Sequence, residues 1–141
     1  MVIDDRLLRS VLIDDETPRI VPGLSDGGVF TTSTWLYRLA QAVRSDRLGA
    51  LSGPIAVLPP ALQTQIVRRL IDLPPSIGIL SGRELAWTMA GLLQKHRLNF
   101  LALEALATAV VTGSVLVLSE RADVPLLVDA CRAESVEVVI T

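Results

Sequence analysis

Apolar residues recur along this chain in two periods, and the alternation between them predicts its elements. Leu7, Leu8, Val11 and Leu12 fall at helical spacing, and Asp4 and Asp5 ahead of them suit the positive end of a helix dipole. A helix is therefore expected over residues 4–13. Asp14 to Gly28 is polar and broken by proline and glycine, which reads as a loop. Val29 to Ser33 is rich in β-formers and predicts a strand. From Thr34 to Arg44 the apolar positions Leu36, Leu39, Ala40 and Val43 return to helical spacing.

The segment from Ser45 to Leu58 is Gly/Pro-rich connection, with a short strand expected at Ile55–Val57. Pro59-Pro60 opens a helix that runs to about Asp72, because the first N–H groups of a helix have no partner for proline to remove. Ile77 to Leu80 predicts a short strand, and Ser81 with Glu84 has capping-box spacing for a helix continuing to Lys95. Asn99 can cap the next helix and Gly113 can end it in the left-handed conformation. Val115 to Leu118 is a continuous apolar run of the kind buried on both faces. Asp123 is placed to cap a helix with Pro125 in its first turn, and Val136 to Ile140 closes the chain as a strand. Uninterrupted apolar strands between helices point to a sheet covered on both sides. The expectation is an α/β fold: one domain over residues 1–141, a three-layer α/β/α sandwich with a small, mainly parallel central sheet.

Composition narrows the function. Half of the 141 residues are hydrophobic and the mean hydropathy is +0.50. Such a chain can bury a core without disulfide or metal staples. Thirteen basic residues against fifteen acidic ones give a net charge of −2. That removes the footprint of a strong duplex-DNA binder and leaves room only for a local basic patch. The start, Met1-Val2-Ile3-Asp4-Asp5, carries acid where a signal peptide carries base. The uncharged run Leu48 to Val67 is broken by Pro54, Pro59 and Pro60, so it cannot be one membrane helix. A soluble, cytoplasmic protein is expected.

Little of the usual site chemistry is present. Cys131 and His96 each stand alone, too few for a disulfide or a four-ligand zinc site. His96 lies in Gln94-Lys95-His96-Arg97, a polar string at a helix end, where a cation suits the dipole. The glycines of Gly23 to Gly28 precede a strand and lack dinucleotide-binding spacing, and the only lysine, Lys95, follows no glycine-rich loop. Phe30, Trp35, Trp87 and Phe100 are expected in the core or an interface, with Tyr37 partly exposed.

Carboxylates remain. Glu104 is the only charge between Arg97 and Glu120, and Thr108 and Thr112 share its helix stripe at i+4 and i+8. A buried carboxylate must be paired, hydrogen-bonded or protonated. Glu104 is thus either paired with an arginine for structural reasons or a ligand or acid at a cleft. Glu120 directly follows a buried strand, where α/β sites collect.

The run Leu98 to Gly113, followed by Val115 to Arg121, a helix and Val136 to Ile140, resembles the C-terminal half of PIN domains. It looks most like those of the toxin ribonucleases from toxin–antitoxin pairs. Val29 to Val43 is similar to that family's second motif. The resemblance implies an RNA substrate and four acids around Mg²⁺ or Mn²⁺. It places the first acid near Asp14, at the end of an opening strand Val11–Asp14. The second falls near Arg38, a reversed charge. The third falls on Ala102, with Glu104 two residues further on, and the fourth on Glu120. The residues it nominates are Asp14, Asp15 and Glu120 for a metal, Glu120 and Glu104 for catalysis, and Arg38 and Arg121 for nucleic acid. Arg38 would oppose a cation and could pair with Glu120 instead.

The function expected is that of a PIN-like binding or assembly module linked to RNA, without efficient metal-dependent nuclease activity and with no cofactor. One alternative is a divergent Mg²⁺- or Mn²⁺-dependent ribonuclease; another is a regulatory partner acting through protein contacts alone. A homodimer is also expected, from the resemblance and from one-sided apolar helices at 34–44 and 61–71.

Overall fold

The computed structural model describes residues 1–14, 28–45, 47–120 and 124–141. Its first element is one that periodicity does not announce. Val2–Ile3 forms strand β1, and both residues are completely buried. The opening strand therefore ends at Asp4, and Asp5–Asp14 is helix α1. Val11–Asp14, where the resemblance put the opening strand, is the last turn of that helix. Two residues are too short a run for a hydrophobic period to register.

The remaining elements are β2 (Val29–Thr31), α2 (Ser33–Arg44), α3 (Gly53–Ala56), α4 (Pro60–Ile71), β3 (Ile77–Ile79), α5 (Gly82–Lys95), α6 (Phe100–Thr112), β4 (Leu116–Leu118), α7 (Pro125–Ala133) and β5 (Val138–Ile140). Capping chemistry in the sequence sets the starts of α2, α5 and α6 and the end of α6. The Thr32 side chain accepts the N–H of Trp35 at the head of α2. Ser81 and Glu84 form a reciprocal capping box on α5. Asn99 accepts from the N–H of Ala102, and Gly113 ends α6 at φ +61°.

Two local expectations are corrected. Residues 53–56 form a helical turn, not a strand, with Pro54 in its first turn. The N-cap of α7 is Val124, which makes no side-chain capping bond; Asp123 lies outside the described residues.

The sheet runs β3-β2-β1-β4-β5 and every pairing is parallel. Successive strand residues face opposite sides, and that alternation divides the interior in two. Val2, Leu116 and Leu118 pack with residues of α5, α6 and α7. Ile3 and Val117 pack with α1, α3 and α4. Helix α2 reaches both clusters, through Trp35 and Leu39. The result is the three-layer sandwich that the apolar runs predict. Helix α6 is buried at every position from Ala102 to Ala109, so it reads as continuously apolar rather than amphipathic. Among the described residues no helix is long and apolar enough to cross a membrane.

The order of the strands positions the site. The chain builds β2 and β3 on one side of β1, then crosses to place β4 and β5 on the other. In open parallel sheets the crevice outside the carboxyl ends of the strands, at such a reversal, is where ligands bind. Here it lies between the ends of β1 and β4.

Candidate functional site

Asp4 leaves the end of β1 and is 2 % exposed. Its Oδ1 accepts the backbone N–H groups of Arg6 at 3.1 Å and Leu7 at 2.9 Å, as a helix-capping carboxylate does. Its Oδ2 accepts the N–H and the hydroxyl of Ser119, just past β4, each at 2.7 Å. Four donors fill the roughly four acceptor positions of an ionised carboxylate.

Glu104 reaches the same edge from the middle of α6 and is 4 % exposed. Its partner is the head of α2. Oε1 accepts the N–H of Ser33 at 3.1 Å, and Oε2 accepts the N–H of Thr34 at 2.9 Å together with the Thr34 hydroxyl. No arginine is paired with it among the described residues. A helix N-terminus supplies what an arginine would: free N–H groups and the positive end of a dipole. The polar stripe behind Glu104 is spent on the helix itself. Thr108 donates to the carbonyl of Glu104, and Thr112 to that of Thr108.

Asp5, the first residue of α1, is also buried. Its Oδ2 lies 3.1 Å from Nη1 of Arg38, an ion pair in which the arginine stays half exposed. The contact lacks hydrogen-bond alignment, so Oδ2 keeps no hydrogen-bond partner. Burial pushes the Asp5 carboxyl above its ordinary value, while the Arg38 charge pulls it back. Arg38 thus meets an acid near the sheet edge, but the acid is Asp5 and not Glu120.

Of the nominated residues, Glu104 and Arg38 belong to this edge. Asp14 is exposed at the far end of α1. Glu120 is exposed past β4, and its N–H donates to the carbonyl of Thr141. Asp15 and Arg121 lie outside the described residues. Sequence reasoning missed Asp4, Asp5, Thr34 and Ser119 as neighbours. The signal was available in Val2-Ile3-Asp4-Asp5: a β-branched pair running directly into two acids.

These residues do not fit a hard divalent cation as they stand. Mg²⁺ and Mn²⁺ need carboxylate oxygens with free lone pairs. Those of Asp4 are all engaged, those of Glu104 face three donors, and Asp5 faces a guanidinium. Among the described residues no group of three His, Cys, Asp or Glu side chains is placed to hold a metal.

The two lone residues have structural places. His96 Nε2 lies 2.7 Å from Glu134 Oε1, with Lys95 Nζ 3.2 Å from the same carboxylate, so the C-terminal ends of α5 and α7 are tied together. Hydrogen bonds from His96 and then Lys95 hold the Glu134 carboxyl below its ordinary value. Cys131 is buried, and burial pushes its thiol up to about 11, away from thiolate reactivity.

In class, the chain is an α/β protein with buried carboxylates, Asp4 and Glu104 held by backbone and hydroxyl donors, at the switch-point edge of a parallel sheet. Compared with known proteins, it matches no family model, no curated protein and no solved structure.

Proposed function

We propose that this chain is a PIN-like domain whose cation site has been replaced by a self-satisfied hydrogen-bond cluster, and that it serves as a non-catalytic binding or assembly module linked to RNA. The strand order, the acid at the end of β1 and the acid carried by α6 support the PIN-like reading. The observation that carries the loss of metal chemistry is the engagement of Asp4 and Glu104 by protein donors. Four protein donors address the first carboxylate and three the second. A cation entering between them would have to displace these hydrogen bonds, and each buried donor left without its acceptor costs about 1–3 kcal/mol.

The divergent ribonuclease is the second reading, and one feature favours it: Glu120 is exposed at the carboxyl end of β4. Mn²⁺ titration read by thermal denaturation, run beside a single-stranded RNA cleavage assay, separates the two. The module leaves Tm unmoved at millimolar Mn²⁺ and cleaves nothing. A rise in Tm with cleavage that Glu120→Gln abolishes makes it the nuclease, since a ligand of the folded state must stabilise it.

Self-association belongs to the same proposal, through a different surface from the one the periodicity suggested. Helices α2 and α4 turn Trp35, Leu39, Ile66 and Leu70 inward, while Leu62, Val67 and Ile71 of α4 stay exposed. On α5, Trp87 is 91 % exposed. Ala86, Ala90 and Gly91 are exposed around it, and Gly91 has open space above it. One face therefore carries both a large knob and a shallow seat. In an antiparallel two-fold pairing each indole lies over its partner's Ala90 and Gly91, the self-complementary arrangement a symmetric dimer requires.

A further inference from the structure

A groove of about 400 Å³ opens between the outer half of α2 and the loop that follows it. It lies beside the carboxylates and shares Arg38 with them, and the charge of its described lining is one-sided. Arg6, Arg38 and Arg47 line it with Gln41 and Ser45, and no acid is among its described lining residues. Only Arg38 has a carboxylate partner among the described residues, Asp5 beneath it. Among the described residues, the three guanidiniums with that one acid leave a charge of +2 facing the groove.

The loop carrying Arg47 is organised. The Ser52 hydroxyl accepts the N–H of Gly49 at 3.0 Å and donates to the carbonyl of Arg47 at 3.4 Å. Nη1 of Arg9 donates to the carbonyl of Ala50 at 2.7 Å. Arg9 is thereby fixed at the base of the loop with its Nε buried and unpartnered. Burial and the nearby Arg6 charge both lower its proton affinity. Positive charge is thus concentrated on held backbone, and among the described residues the acids near it, Asp4 and Asp5, lie beneath the groove rather than in its lining.

We propose that this groove is a binding site for the dianionic phosphate of a small phosphomonoester. Guanidinium forks match phosphate oxygens bidentately, and a +2 surface is neutralised by a dianion rather than by a singly charged diester. Gln41 and Ser45 add neutral polar groups, and Ala42 and Leu51 give the organic part of the ligand an apolar wall. The volume is that of an ordinary small-molecule site. The site goes beyond the proposed function and does not depend on it, because neither Asp4 nor Glu104 lines the groove.

The test uses phenyl phosphate as the monoester and dimethyl phosphate as the diester, at matched ionic strength, by calorimetry and thermal denaturation of the full chain. Phenyl phosphate and inorganic phosphate bind and raise Tm, whereas dimethyl phosphate and chloride do not. Arg47→Ala and Arg6→Ala each weaken phenyl phosphate about tenfold or more, as loss of a charged hydrogen bond requires. Both variants keep the wild-type Tm without ligand, which separates lost binding from lost folding. Phenyl phosphate binding also weakens below about pH 6, where the dianion takes up a proton. Equal stabilisation by dimethyl phosphate, or phenyl phosphate binding unchanged in both variants, overturns the proposal. The Mn²⁺ titration reads a different set of residues, so either idea can fail alone.

Discussion

Asp4 and Ser119 stand 115 positions apart in sequence, yet the Asp4 carboxylate takes both the N–H and the hydroxyl of Ser119 at 2.7 Å. The other oxygen of the same carboxylate caps α1 through Arg6 and Leu7. One side chain thus joins the first strand, the first helix and the end of β4. Asp4→Ala removes the cap and the cross-link together and is expected to cost about 2–4 kcal/mol. Ser119→Ala loses only the hydroxyl and is expected to cost about 1 kcal/mol. Urea denaturation of the two variants measures the difference, and equal costs would mean that the carboxylate does not act as this joint.

Glu104 gives the second prediction. Removing it leaves the N–H groups of Ser33 and Thr34 at the head of α2 without their acceptor. Two of its three donors are fixed backbone N–H groups, and none is an arginine that could swing out to water. Glu104→Leu is therefore expected to destabilise by about 2–5 kcal/mol, although it places an apolar residue at a buried position. Glu104→Gln keeps one acceptor oxygen, turns an amide donor toward other donors, and falls between. A Glu104→Leu variant as stable as wild type in urea would contradict the role assigned to the α2 N-terminus.

What could be read from the sequence divides along a physical line. Local chemistry was legible: the Ser81–Glu84 box, the Asn99 cap and the Gly113 stop each act within four residues, and each is where expected. The buried run Val115–Leu118 gave β4, and the abnormal burial of Glu104 could be inferred from its apolar neighbours. The partner of Glu104 could not, because Thr34 lies 70 positions away and nothing in a helix period points to a distant helix end. Strand β1 has no hydrophobic period for the opposite reason, its one local cue being the β-branched pair Val2-Ile3 ahead of two acids. Its pairing with β2 and β4 makes it a strand, and two residues carry no pattern of their own. Missing it put the end of the opening strand at Asp14, whereas β1 runs into Asp4.

Asp5 gives a pH prediction. Its folded-state pKa is raised, chiefly by burial. A carboxyl of this kind holds its proton more tightly folded than unfolded. Its contribution is full below the unfolded value, about 3.9, and is lost as pH rises through the raised folded value. Wild type should therefore gain stability relative to Asp5→Asn as pH falls from 7 toward 4. Urea denaturation of both proteins across that range checks it. A relative loss for wild type on acidification would mean that the Arg38 ion pair outweighs burial.

Trp87 lets self-association be read optically. The chain has two tryptophans. Trp35 is 3 % exposed in the core and Trp87 is 91 % exposed on α5. Only Trp87 can change its surroundings when two α5 faces meet. Each indole that becomes covered removes about 150–250 Å² of largely apolar surface from water. The emission maximum should therefore shift to the blue as concentration rises, in step with a light-scattering mass that climbs above the 15.2 kDa of one chain. Trp87→Lys puts a charge where the partner's Ala90 and Gly91 would lie, and is expected to hold the protein at the monomer mass. Tyr37→Lys, at an exposed position of α2, should leave the association as it is. A mass of one chain for wild type at micromolar concentration, or dimerisation undiminished in Trp87→Lys, would rule out the α5 face as the meeting surface.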